Sequence, residues 1–216
     1  MLAKKVNLSR EQLLDPGAAN WKVASAENAE LQPTPAPLIP SAYVVNAWKG
    51  KQFGKVKAVT VRALHNSDEV FFRLEWHDPT QNLVESADAN VYPDAAALLF
   101  PLKGDAPLMV MGTADQPVTA WYWRADFKGK AQNDIAQGLG TTRITPSDIS
   151  AQGQWHDGVW HLVLARRLRV RDSATQVEFT VGQTSKIAFA VWDGQNGERN
   201  GIKAYSPHWH ELMLAP

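Results

Sequence analysis

From Tyr43 onward the chain is dominated by short segments in which apolar and polar residues alternate, the period of half-buried β-strands. Residues 56–64 and 69–76 read as paired strands separated by the turn residues His65-Asn66-Ser67-Asp68. Residues 119–124, 153–166, 177–181 and 186–192 continue the series, and Asp157-Gly158 suits a tight hairpin turn. Many strands with few convincing helices predict a mainly β, single-domain antiparallel β-sandwich. Short helical turns are expected at Asp94-Ala95-Ala96-Ala97-Leu98 and around Asp148. The nine tryptophans follow no repeat and fall mostly on strands, so they are expected to pack across two sheets.

Residues 1–40 lack this alternation. Asp15-Pro16-Gly17 breaks any short helix begun at Ser9, and Pro33, Pro35, Pro37 and Pro40 favour extended backbone. The expected organisation is an extended N-terminal arm over residues 1–40, wrapping its own domain or reaching across a partner, followed by a β-sandwich over residues 41–216. Residues 1–20 carry charges at Lys4, Lys5, Arg10, Glu11 and Asp15 without an apolar core, which does not read as a Sec or twin-arginine signal.

Composition narrows the classes. Twenty-two basic against 22 acidic residues give no overall field that would draw the chain to nucleic acid or an anionic membrane. No apolar run is long enough for a membrane span. The absence of cysteine removes disulfides, thiolate metal sites, iron–sulfur clusters held by this chain and covalent c-type haem attachment. No nucleophile elbow, P-loop or dinucleotide fingerprint occurs. The acids Asp193 and Glu198 have the residue types of a glycosidase pair, but loop acids are common to β-proteins.

Two places could hold a metal-bound cofactor. Met111-Gly112 follows an apolar run and precedes a turn, at what reads as a strand end where a flat molecule could approach the backbone. A thioether is a soft ligand for haem iron; Met109, two residues earlier on the same face of a continuous strand, is its rival. Lys203 follows Gly201 and precedes Ala204-Tyr205 in the loop after the strand ending at Trp192. Lysine ligates a metal only as a neutral amine, so that role requires burial. Of the six histidines, His208 and His210 lie on one strand face near Lys203 and form the alternative metal pair.

Ordered blocks extend the picture from Trp21 to Leu214: residues 71–80 ending in Trp76-His77-Asp78-Pro79-Thr80, then Tyr92–Pro101, Met111-Gly112, Pro117–Trp123, Gly153–Trp160, Arg166–Leu168, Ala188–Gly194 and Gly201–Ser206. Together they resemble the haem b-binding gamma subunits of type II dimethyl sulfoxide reductase family molybdoenzymes, the group serving ethylbenzene dehydrogenase and dimethyl sulfide dehydrogenase. The resemblance implies a β-sandwich related to the cytochrome domain of cellobiose dehydrogenase. It further implies haem b with Met111 and Lys203 as axial iron ligands, although Val110 stands where the family often has proline before Met-Gly. Arg166 and Arg124 are candidate partners of the haem propionates, since a guanidinium grips a carboxylate in a fork. Such subunits work in periplasmic heterotrimers with an iron–sulfur beta subunit and a molybdenum-cofactor alpha subunit. They exchange electrons with a soluble acceptor or donor. The absent leader then implies a mature chain or export with a signal-bearing partner, and mildly points to an ethylbenzene dehydrogenase-like hydroxylase. The alternative is a non-redox, carbohydrate-type ligand-binding β-sandwich.

Overall fold

The alternating segments build two packed layers in a computed structural model that describes residues 1–39, 41–86 and 90–216. The described strands are β1 (Leu2–Lys5), β2 (Glu27–Glu30), β3 (Gln32–Pro33), β4 (Ala58–His65), β5 (Glu69–His77), β6 (Ala95–Pro101) and β7 (Val118–Arg124). They continue with β8 (Gln132–Ala136), β9 (Arg143–Thr145), β10 (Ser150–His156), β11 (Val159–Arg167), β12 (Thr184–Trp192), β13 (Ala204–Tyr205) and β14 (His210–Leu214). The first layer runs β10-β11-β5-β4 and the second β12-β6-β7-β8-β9; β1 and β14 join them at one corner.

The expected hairpins form in register. Strands β4 and β5 pair antiparallel with Thr60 opposite Glu75, and β10 and β11 pair with Trp155 opposite Trp160. Asp157 and Gly158, with φ of 48° and 78°, close the second hairpin in the doubly left-handed turn that matches strand twist.

Aromatic side chains fill the space between the layers. Phe72 of β5 meets Trp121 of β7 edge-on at 5.7 Å, and Trp123 lies 5.2 Å from Trp160 of β11. Phe72, Phe100 and Phe189 are fully buried, and each such side chain contributes about 1.5–3 kcal/mol of hydrophobic stabilisation.

Residues 1–39 are woven into these layers. β1 pairs parallel with both β14 and β4, β2 pairs with β4, and β3 pairs with β13. Helix α1 (Arg10–Leu14) starts in a capping box between Ser9 and Gln12 and ends at Asp15, ahead of the Pro16-Gly17 break. Pro40, the last of the arm's five prolines, lies outside the described residues.

Three local expectations differ from the structure, and one helix was not expected. Residues 95–98 form strand rather than helix, because β6 is buried on both faces and tertiary burial overrides alanine's helix preference. No helix forms around Asp148. Val177 and Phe179 are buried as alternation predicts, yet residues 177–181 join no ladder: Phe179 N–H donates to Leu168 O at 3.1 Å, Thr180 O accepts from Gln183 N–H at 3.1 Å, and Val177 O accepts from the Arg166 side chain. Helix α2 (Ala42–Ala47), capped by Ser41, is an addition. Among the described residues no helix is long and apolar enough to cross a membrane.

Candidate functional site

The second layer has two apolar faces, and only one reaches the sandwich core. Trp121 and Trp123 of β7 point inward, so Ala120 and Tyr122 point outward. Ala95, Ala97 and Leu99 of β6 join Ala188, Ala190 and Trp192 of β12 on that outer face. Over it lies a cavity of about 480 Å³, within the usual size of small-ligand and cofactor sites. Ala97, Ala120 and Ala190 line it, so its floor has little side-chain relief and accommodates a flat, apolar body.

Met111 lines this cavity. It ends the 3₁₀ turn Leu108–Val110 in the left-handed conformation, φ 60° and ψ 42°, with its N–H bonded to Leu108 O at 3.0 Å. Gly112 is left-handed too, at φ +80°, and a Cβ there would sit 2.7 Å from Gln116 O and 3.0 Å from Val118 N. Only glycine fits this close backbone approach. The segment is therefore a helical turn rather than the expected strand end, so Met109 and Met111 do not share a strand face. Both line the cavity; Met109 is 49% exposed, whereas Met111 packs against the outer-face cluster.

Lys203 also lines the cavity, on a loop pinned at several points. Trp192 Nε1 donates to Asn200 O at 3.0 Å. Glu198, buried beneath the loop, accepts from Gly54 N at 2.8 Å and Asp193 N at 3.1 Å, and the Lys203 carbonyl accepts from Thr34 N at 3.1 Å. The residue is half-buried, with its amine 5.2 Å from the centre of the Trp192 ring. Among the described residues its Nζ has no hydrogen-bond or ion-pair partner, and desolvation by the surrounding protein lowers its pKa to about 8.

The two arginines separate. Arg124 lines the cavity, and its guanidinium forks onto Asp126 at 3.0 and 2.9 Å. Arg166 is not brought to this cavity: it is fully buried, 4.9 Å over the Trp121 ring, and donates to the carbonyls of Val177 and Arg167. Being long and apolar-stemmed, it fills a core position that a sequence reading leaves open. The cavity wall also includes two groups not anticipated from sequence. Tyr122 meets Trp192 edge-on at 5.3 Å, and burial raises its hydroxyl pKa to about 12. Asp134 has a buried Oδ1 without a hydrogen-bond partner, and burial raises its pKa to about 6. The legible signal for Tyr122 was strand alternation on β7, which places it opposite Trp121 and Trp123.

The remaining candidates are not among the residues that line the cavity. His210 Nδ1 lies 3.2 Å from Glu27 Oε1 and its ring packs on Phe189, while His208 is exposed. Glu198 is consumed by backbone and Asn196 donors, so the Asp193–Glu198 pair shows no open catalytic cleft between its carboxylates.

The sequence matches the ethylbenzene dehydrogenase family over residues 18–145 and 134–204. It is 39% identical to the chlorate reductase subunit gamma of Ideonella dechloratans over 163 residues, covering 74% of this chain and 65% of that one. It is 31% identical, over 88% of this chain and 71% of the other, to a protein of Haloferax mediterranei named as a respiratory nitrate reductase heme subunit. The dimethylsulfide dehydrogenase subunit gamma of Rhodovulum sulfidophilum is 29% identical over 73% of this chain and 61% of its own length. The chain thus spans somewhat under two thirds of two of these relatives. In fold it is similar to a family 9 carbohydrate binding module from Caldicellulosiruptor kristjanssonii, with TM-score 0.51 and 7% identity over 99% of this chain and 94% of that one. A structure from Bacteroides uniformis, titled as a carbohydrate-binding protein, gives TM-score 0.56 at 9% identity over 99% and 98%.

Proposed function

This chain belongs to the ethylbenzene dehydrogenase family, and we propose that its outer-face cavity binds haem b with Met111 and Lys203 as axial ligands. The observation that carries this reading is the convergence of a thioether and an unpartnered, desolvated amine on one flat-floored apolar cavity. The residues fit the group. Alanines offer a planar seat, Met111 is held by a left-handed turn that glycine makes possible, and Lys203 is disposed to lose its proton.

Bound haem supplies one-electron exchange, with a thioether ligand favouring the ferrous state. The chain's own contribution is positional and electrostatic. Trp192, edge-on to Tyr122, sets its ring beside the Lys203 amine, and the pinned loop delivers the amine without a large ordering cost at the moment of binding. Arg124, already oriented by Asp126, offers a guanidinium edge to a propionate at the cavity wall. Arg166 has no such role in this reading.

As part of a larger enzyme, the chain is then the electron-transfer subunit of a periplasmic molybdenum complex. It would take electrons from, or give them to, an iron–sulfur beta subunit, with substrate chemistry on a molybdenum-cofactor alpha subunit and a soluble redox partner outside. An ethylbenzene dehydrogenase-like hydroxylase is the complex we favour, consistent with the family match.

Reconstitution of the full chain with haem tests this. The expected result is a Soret band and a low-spin visible spectrum, with the low-spin signal lost in Met111→Ala and in Lys203→Ala. A chain that takes up no haem, or variants that both keep the wild-type low-spin spectrum, would overturn the assignment. The carbohydrate-type alternative shares the fold with the two solved structures, and it predicts tryptophan fluorescence changes with sugars and no Soret band.

A further inference from the structure

A second cluster of chemistry-bearing groups lies away from the cavity lining, at one end of the sandwich. Asp78 follows β5 in the first layer, Asp94 precedes β6 in the second, and Asp193 follows β12 at the root of the Lys203 loop. All three are buried, and one carboxylate oxygen from each lies within 4.8 Å of the others. Bringing three carboxylates out of water and together is costly unless positive charge compensates them. Among the described residues none of the three has a lysine, arginine or histidine within ion-pair distance.

Hydrogen bonds account for only part of the oxygen capacity. Asp94 accepts from Asn82 N at 2.8 Å, Gly194 N at 2.9 Å and Trp160 Nε1 at 3.0 Å. Asp193 Oδ1 accepts from Asn196 N at 2.9 Å. Asp78 Oδ1 accepts from Thr80 N and Oγ1 at 3.1 and 3.3 Å. Its Oδ2 has no partner at all, although Asp78 is only 1% exposed. A buried carboxylate oxygen left bare next to two other carboxylates is the position a cation fills. Burial first, and then the Asp94 carboxylate, push Asp78 up to about 7, as expected when nothing positive stands nearby.

We propose that Asp78, Asp94 and Asp193 bind a divalent cation, of the calcium class, that ties the two layers together beneath the Lys203 loop. The donor set is oxygen only, which selects a hard cation over zinc or copper. Oxygens sharing one Ca²⁺ at about 2.3–2.6 Å can stand up to about 5 Å apart, whereas the shorter bonds of Mg²⁺ draw its ligands closer. The cation would neutralise the cluster and fix the end of β12, from which the loop to Lys203 departs. Gly194 belongs to the same construction, because a Cβ there would meet Tyr92 O at 1.8 Å, so the backbone next to Asp193 is pressed against the Asp94 segment.

The experiment uses the full chain, with and without haem. Elemental analysis after gel filtration reads bound metal directly, and calorimetric titration of chelator-treated chain with CaCl₂ reads stoichiometry. One Ca²⁺ per chain is expected, with Tm raised by about 5–10 °C at a hundredfold excess over Kd and a smaller response to MgCl₂. Asp78→Asn and Asp193→Asn, which keep shape while removing charge, should abolish the Ca²⁺-dependent Tm rise. The proposal is overturned if the wild-type chain neither carries a divalent metal nor responds to CaCl₂, or if the Asn variants keep the full response. Should a variant fail to fold, the wild-type metal content and titration decide alone. Calcium binding without haem uptake would support this site while removing the proposed function, and the converse would do the reverse.

Discussion

Replacing Lys203 by leucine separates stability from function in opposite directions. The ammonium is desolvated without an anionic partner, which lowers its pKa from 10.5 to about 8, equivalent to about 3 kcal/mol at about 1.4 kcal/mol per decade. At pH 7 the folded haem-free chain bears nearly all of that penalty, because the amine is still mostly protonated. Leucine removes it, while losing the contact with the Trp192 ring, a cation–π interaction of about 0.5–2 kcal/mol. The net expectation is a haem-free variant about 1–3 kcal/mol more stable than wild type. Urea unfolding followed by tryptophan fluorescence measures this as a higher midpoint at unchanged m. Stability also depends on pH through this group. Between about pH 8 and 10.5 the unfolded chain binds more protons at Lys203 than the folded one, so wild-type stability gains from this group as pH rises through that window. The variant lacks that gain, and it also lacks the low-spin haem spectrum. A haem-free Lys203→Leu chain that is equally or less stable at pH 7, together with a wild type flat in that window, would show the amine to be solvated and remove the basis for its neutral form.

Three further outcomes follow from the geometry. Gly112→Ala forces a side chain into backbone atoms at a left-handed position and should cost about 1–3 kcal/mol in urea unfolding, with weakened haem uptake because the Met111 turn shifts. Arg166→Met should destabilise the chain by more than about 1 kcal/mol, since the carbonyls of Val177 and Arg167 lose their buried donor, yet leave the spectrum of haem-reconstituted protein unchanged. His65 is buried with Nε2 2.7 Å from Ala215 O, and desolvation lowers its pKa, so the folded state binds fewer protons than the unfolded one between that lowered pKa and 6.5. Stability should therefore fall as pH drops through that window, and His65→Gln should flatten that part of the acid-unfolding curve.

Local chemistry was legible wherever neighbouring residues alone decide structure. The Asp157-Gly158 turn, the short helix begun at Ser9 and stopped before Pro16-Gly17, and the alternation of β4, β5, β11 and β12 need only short-range stereochemistry, and they appear where the chain spells them. Residues 95–98 were misread for the same reason. Alanine runs favour helix in isolation, and nothing nearby shows that β6 will be covered on both faces. Met111 and Lys203 were legible as residue types beside glycines, supported by a family resemblance rather than by spacing.

By itself, the sequence determined a two-layer β-protein without cysteine chemistry and a short set of candidate ligands, because side-chain period, turn residues and composition act locally. Tertiary structure alone decided which candidates meet. It set Met111, Lys203 and Arg124 around one alanine-floored cavity while sending Arg166 into the core, and it gathered Asp78, Asp94 and Asp193 from three strand ends. The physical reason is long-range pairing. Register between β12, β6 and β7 determines which small residues face outward together, and the seat of β3 on β13 determines where the Lys203 loop is held.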